Sequence, residues 1–345
     1  MMETFWYAAV TLMLAVYVVL DGFDFGIGIV YPFVTKTETD RRLALAAIGP
    51  VWNGNEVWLI AAGALLFFAF PKAYAAGFSG FYLALIIVLW LLMARGLAIE
   101  LRSHIDHPLW RQFWDVAFAG ASTMLAIVFG AALGNLIRGV PLNQEGYFFV
   151  ALWTDFQPGK EPGILDWFTI LTGVTSAAIL AMHGANYLAM KSEGDLRGKA
   201  ALWAVGAWWV AAVFTLLTLL AVPAVQPNLR LNFSGHPLEY LVPLAGLLAF
   251  AFVLRLRQQQ RDMAAFLASG LFVLLMLSSV AFGMYPHLLF STTDPDLSLT
   301  AFNAATDSYG MNTGLAWFIA GFALVIAYQG YAHRLFRGKA QDTSH

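Results

Sequence analysis

The sequence predicts an all-α, polytopic membrane protein with about nine transmembrane helices. Three observations carry that reading. Apolar residues make up 60% of the chain and charged residues only 12%, against about 25% charged in a soluble globular domain. The apolar residues fall in continuous runs instead of alternating at period two, which disfavours membrane strands. Nine of these runs reach the roughly 20 residues a helix needs to cross the hydrocarbon core. Cysteine is absent, which removes disulfides, thiolate catalysis, iron–sulfur clusters and thiolate metal sites. A net charge of −2 implies no nucleic-acid partner.

The first span, 5–31, is too long for a signal-peptide core and carries acids near its end, so it reads as a retained helix. The second, 50–69, opens at Gly49-Pro50, where Pro and the following Asn and Gly suit a helix start. The third, 75–101, ends with Arg95 and Glu100. The fourth, 112–138, begins around Trp114-Asp115. The fifth, 164–192, holds His183, the one histidine well inside a span. The sixth to ninth cover 199–222, 237–255, 263–286 and 310–336. The longest connections, 139–163 and 287–309, are rich in Gly, Pro and Asp and are too short for an extramembrane domain. Fourteen of the 19 Lys and Arg fall on the side that holds the C-terminus, four fall on the other side, and Arg95 lies within a span. That asymmetry predicts a cytoplasmic C-terminus and an external N-terminus.

Polar residues at membrane depth mark functional sites by default, because a carboxylate in hydrocarbon is expensive. Asp21 and Asp24 are three apart and share a helix face. Glycines at 22, 26 and 28 let a neighbour approach that face closely. A helix end at headgroup level is the bland alternative, but seven largely apolar residues separate Asp24 from Pro32. Asn53 and Glu56 are likewise three apart and expected to face together. Glu56 lies between Trp52 and Trp58, where desolvation suits a group that accepts and releases protons. Trp58 by itself reads as packing. Arg95 is expected to snorkel or to pair with an acid on an adjacent helix, and Asp115 to answer the dipole of its helix. A lone His183, without a facing histidine, reads as hydrogen-bonded to a neighbouring helix more readily than as a haem ligand. All the acids named lie toward the predicted cytoplasmic face.

The runs Asp21-Gly22-Phe23-Asp24-Phe25-Gly26-Ile27-Gly28 and Gly49-Pro50-Val51-Trp52-Asn53-Gly54-Asn55-Glu56-Val57-Trp58-Leu59 resemble subunit II of the cytochrome bd-type quinol oxidases. The likeness continues through Phe78–Tyr82, Arg102-Ser103, Trp110-Arg111, Trp114-Asp115 and Gly134-Asn135, and more faintly through Gly184–Tyr187 and Met284–Pro286. It implies a single integral membrane domain, 1–345, built as two four-helix bundles plus one peripheral helix. Their expected bounds are 1–140, 160–290 and 308–336, with a cytoplasmic tail at 337–345. It also implies a place in the bacterial cytoplasmic membrane beside a larger subunit I. That partner would carry haem b and haem d and oxidise quinol while oxygen is reduced to water. This chain would ligate no haem, would have room for a bound quinone, and is compatible with small single-helix accessory subunits. Its part would be scaffold and cytoplasmic-side proton supply through Asp21, Asp24, Asn53, Glu56 and Glu100. Asn53 stands where many relatives carry aspartate and cannot titrate, so Glu56 or water would carry a proton past it. Trp58 matches a tryptophan associated with an oxygen route. The alternative from another class is a proton- or cation-coupled secondary transporter, which intramembrane acids and glycine-interrupted helices would also suit.

Overall fold

The computed structural model describes residues 1–341; the last four residues of the expected tail lie outside the described residues. Twelve α-helices run through the described chain: α1 (Met2–Val34), α2 (Glu38–Ile48), α3 (Trp52–Ala69), α4 (Pro71–Gly80), α5 (Tyr82–Leu101), α6 (Pro108–Arg138), α7 (Trp167–Lys191), α8 (Gly194–Val225), α9 (Pro227–Gly235), α10 (Leu241–Gln258), α11 (Asp262–Met284) and α12 (Ser308–Leu335). Eight of them are long and apolar enough to cross a bilayer alone, and α2 with α3, bent by 43° at a short break, makes up to a ninth.

Three short helices depart from the expected runs, each for a local reason. A capping box starts α2: Thr37 Oγ1 accepts from the Asp40 amide, and the Asp40 carboxylate accepts from the Thr37 amide. The expected third span begins earlier, as α4, and breaks at Phe81. A Cβ on Gly80 would sit 2.1 Å from the ring of Phe148, so this turn is shaped around an aromatic side chain from the 139–166 connection. Pro227 opens α9. The connection 287–309 carries a small antiparallel pair, β1 (His287–Leu289) with β2 (Leu299–Thr300).

The centre of the fold is α1, with 67% of its membrane window buried. It touches α3, α6, α7 and α11. Apolar transfer does not drive helix pairing in lipid, so close approach through small residues must. The sequence provides it. A Cβ on Gly26 would lie 1.9 Å from the Leu180 carbonyl oxygen, and one on Gly184 would lie 2.3 Å from the Gly26 carbonyl carbon. Here α1 and α7 cross backbone to backbone. Gly130 and Gly134 of α6 press on Thr172 and its neighbours in the same way.

At the start of α7, the Asp166 carboxylate caps the helix through the amides of Phe168 and Thr169 and pairs with Arg138. α12 is peripheral in burial: Met311 is its one buried residue. It is fastened at its far end. Lys191 Nζ donates to the Phe336 and Gly338 carbonyls at 2.6 and 3.2 Å, and Lys339 Nζ donates to the Met190 and Ser192 carbonyls at 2.9 Å each.

Candidate functional site: a buried carboxylate–guanidinium cluster

Asp21 and Asp24 project from α1 one turn apart, and both are fully buried. About ten residues remain to the end of α1, roughly 15 Å of helix. Arg95 reaches them from α5 and is itself fully buried. Its guanidinium donates to Asp21 Oδ1 and lies 3.4 Å from Glu56 Oε2 on α3. The planar cation sits over the Phe25 ring at 4.7 Å and near Trp52 at 5.8 Å. Trp52 can lie there because Gly96 next to Arg95 has no side chain; a Cβ at that position would be 3.1 Å from the indole. Arg95 therefore does not snorkel. It is the hub of the site, and the acids it meets come from two helices.

Asp24 is held differently. Asn55 Nδ2 donates to Asp24 Oδ2 at 2.9 Å and to the Leu20 carbonyl at 3.3 Å. Asp21 Oδ2 and Asp24 Oδ1 are buried without a hydrogen-bond partner among the described residues, as is the hydroxyl of Tyr17. Each acid thus keeps one oxygen for a proton or a water.

Of the residues expected from the sequence, the structure brings Asp21, Asp24 and Glu56 together. Asn53 is exposed and takes no part in the cluster. The inward stripe of α3 is Trp52, Asn55, Trp58 and Ala62, at helical spacing, and Asn53 falls off it. The expectation that Asn53 and Glu56 act on one face is corrected accordingly: the buried amide is Asn55. Glu100 is exposed at the rim and accepts from Trp52 Nε1 at 3.3 Å. It meets the cluster only through that indole. Trp58 is buried and edge-on to Phe322 of α12 at 6.1 Å. Arg95 as hub, and Asn55, were missed as site residues. The Trp52-x-x-Asn55-x-x-Trp58 spacing was the signal for the second.

Between this cluster and the basic loops stands a second ion-pair group. Arg102 donates to both Glu38 oxygens at 2.9 Å each and to Asp115 Oδ1 at 2.5 Å. Asp115 also accepts from the Tyr31 hydroxyl at 2.6 Å and from Arg41 at 2.9 Å. The Arg102 hydrogen bonds hold the Glu38 carboxyl below the usual carboxylate range. Helix α6 starts at Pro108, so Asp115 lies beyond the first turn, where the dipole has faded. Its role is ion pairing, which replaces the expected one.

His183 bonds through both ring nitrogens, to Ser269 Oγ at 2.7 Å and to the Val19 carbonyl at 3.0 Å. A carbonyl can only accept, so Nε2 donates to Val19, while Nδ1 faces a serine hydroxyl that also reaches the Phe266 carbonyl at 2.7 Å. A haem iron would have to displace one of these bonds, so His183 as it stands offers no free ring nitrogen.

Comparison with known proteins matches the chain over residues 2–336 to the family model described as cytochrome bd terminal oxidase subunit II. The "Probable cytochrome oxidase subunit 2" of Haemophilus influenzae is 30% identical, over 97% of this chain and 94% of that protein. The "Cytochrome bd-I ubiquinol oxidase subunit 2" of Escherichia coli K12 is 30% identical over 90% and 88%. The "Cytochrome bd ubiquinol oxidase subunit 2" of Bacillus subtilis is 28% identical over 96% and 95%. Among solved structures, a chain of the bd oxidase from Geobacillus thermodenitrificans superposes with a TM-score of 0.75, covering 97% of this chain and 98% of its own, at 19% identity. That likeness bears on the fold alone.

Proposed function

The chain belongs to the cytochrome bd terminal oxidase subunit II family and is a subunit of a quinol:oxygen oxidoreductase, and from that premise we propose that it carries protons toward the oxygen-reducing centre through Asp21, Asp24 and Glu56. The observation behind this reading is that Asp21 and Glu56 meet one buried guanidinium, with the fully buried Asp24 one helical turn from Asp21. One cation balances one carboxylate. Unbalanced buried charge is costly, so a cluster with three carboxyl groups and one cation is a place where protons can be taken up and passed on. Glu56, with 21% of its side chain exposed, links the outside of α3 to the fully buried pair. Asp21 is pinned by Arg95 and Asp24 by Asn55, and each offers its second oxygen to the proton.

Subunit II implies a complex with a subunit I. In our reading, that larger partner carries haems b and d, because the histidine best placed here is already engaged. Haem in the complex supplies the electron-transfer and oxygen chemistry; the residues of this chain hold and pass protons. The secondary-transporter reading is not favoured, since the family match spans nearly the whole chain.

The carboxylates test the assignment. Asp21→Asn, Asp24→Asn and Glu56→Gln each remove a titratable group at nearly constant volume. Quinol-driven oxygen consumption should fall at least roughly tenfold in the two aspartate variants and measurably in the third, with haem content unchanged. Wild-type rates in all three would leave the cluster a purely structural device. His183→Ala should leave the haem absorbance bands of the assembled complex in place, and loss of one band would return a haem ligand to this chain.

We also propose a bacterial cytoplasmic membrane location with the N-terminus outside and the C-terminus inside. The cluster lies toward the ends of α1 and α5 and the start of α3, the same side as most Lys and Arg, which puts proton uptake on the cytoplasmic side. Reporter fusions should report residues 191–199 and 255–261 as cytoplasmic and 141–160 as external. A cytoplasmic signal from 141–160 would invert the scheme.

A further inference from the structure

Asn55 has two ends, and the surroundings decide which points where. Its amide group faces the Leu20 carbonyl at 3.3 Å and Asp24 Oδ2 at 2.9 Å. A backbone carbonyl can only accept, so the Leu20 contact, long at 3.3 Å, favours the NH2 end toward α1 without fixing it alone. The oxygen end is then turned outward, and it requires a donor. That donor comes from the peripheral helix: Gln329 Nε2 of α12 reaches Asn55 Oδ1 at 3.0 Å. Gly54 borders this approach. A Cβ there would already be in contact with Gln329 Oε1 at 3.4 Å and the Tyr328 ring at 3.6 Å.

α12 is otherwise poorly buried, so a half-buried amide aimed at the polar core is not explained by packing. From this chain of bonds we infer that Gln329 is a positioning residue for proton transfer: it fixes the Asn55 amide so that its donor end stays on Asp24. The inference rests on the assignment of Asp24 to the proton path. Gln329 touches none of the reacting groups itself. Its contribution is orientational, because without a donor on its outer side Asn55 Oδ1 is a buried acceptor lacking a partner, and rotation of the amide would present oxygen to the Asp24 carboxylate.

The discriminating experiment sets donor capacity against shape. Gln329→Glu keeps the shape but replaces the donor with an acceptor, which pulls the Asn55 NH2 away from Asp24. Gln329→Lys changes the shape but keeps a donor. In the assembled oxidase, Gln329→Glu should lower the kcat for oxygen consumption roughly tenfold with the quinol KM unchanged, while Gln329→Lys stays within about threefold of wild type. In an Asn55→Ala background, Gln329→Glu should add less than about a twofold loss, because the two act as one unit. If the charged residue prevents assembly, Gln329→Met is read in its place, with an expected loss of about threefold to tenfold.

Asp24→Asn is measured alongside. Reduced activity in Asp24→Asn beside full activity in Gln329→Glu, or beside a greater loss in Gln329→Lys, overturns the inference and leaves the acid cluster standing. Full activity in Asp24→Asn overturns the assignment of Asp24 and the inference with it.

Discussion

Gly184→Leu should abolish assembly of the oxidase: no haem-bearing complex should be recovered when the variant subunit is expressed with its partner. At the crossing of α1 and α7, the atoms that a side chain on residue 184 would meet are the Gly26 carbonyl carbon and the Ile27 nitrogen, both 2.3 Å from the Cβ position. These are backbone atoms and have no rotamer to adopt. The two helices would have to separate, and that separation would also break the His183 bond to Val19 and the stacking of Phe23 on Tyr187 at 3.9 Å. Overpacking alone costs about 1–3 kcal/mol, and here it falls between the two most buried of the candidate spans, α1 and α7. Gly184→Ala should already lower the haem recovered per unit of membrane. Gly120→Ala is the contrasting control: nothing lies within 4 Å of its Cβ position, so alanine there should be neutral or slightly stabilising. Equal yields for the alanine variants at 184 and 120 would show that the crossing can relax.

Arg95→Leu should be nearly as damaging, for an electrostatic reason. Removing one partner of a buried ion pair costs about 3–5 kcal/mol, because the other charge is left uncompensated. Here Asp21 loses its hydrogen-bonded counterion and Glu56 a cation 3.4 Å away. Arg95→Lys should rescue only partly. A single ammonium cannot serve Asp21 and Glu56 with separate nitrogens while lying flat over Phe25. The double variant Arg95→Leu with Asp21→Asn removes both charges, and it should restore assembly relative to Arg95→Leu alone without restoring oxygen consumption. Assembly is read from co-purification and haem absorbance, and turnover with an oxygen electrode. If the double variant assembles no better than the single one, the two charges are not coupled.

The spans were legible in the sequence because a lipid-facing helix must be apolar along its whole length, and composition records that directly. Asp21 and Asp24 stood out for the same reason: an acid in such a run is expensive, and the apolar residues that follow Asp24 count against a headgroup-level helix end. The face of α3 was harder to read. Asn53 and Asn55 are two residues apart and chemically identical, and only the stripe of Trp52, Trp58 and Ala62 separates the buried one from the exposed one. Arg95 was open to snorkelling or to pairing with an acid on an adjacent helix, and pairing is what occurs; which acids it meets, Asp21 at a separation of 74 residues and Glu56 on α3, nothing local announces. The short helices α2 and α4 escaped notice because their starts depend on a capping box and on an aromatic ring inserted from a distant connection.

The bond between Asn55 and Gln329 spans 274 residues, which gives it a meaning in time as well as in space. Helices emerge from the ribosome in order, at about 5–20 residues per second, so α12 reaches the membrane roughly 15 to 55 seconds after Asn55 does. During that interval α1, α3 and α5 can meet and Arg95 can neutralise Asp21, but the outer oxygen of Asn55 still awaits its donor. The twelfth helix is thus the one that completes the setting of Asp24. A chain cut short before residue 329 could insert and fold most of its core, yet it would lack this late contact around that acid.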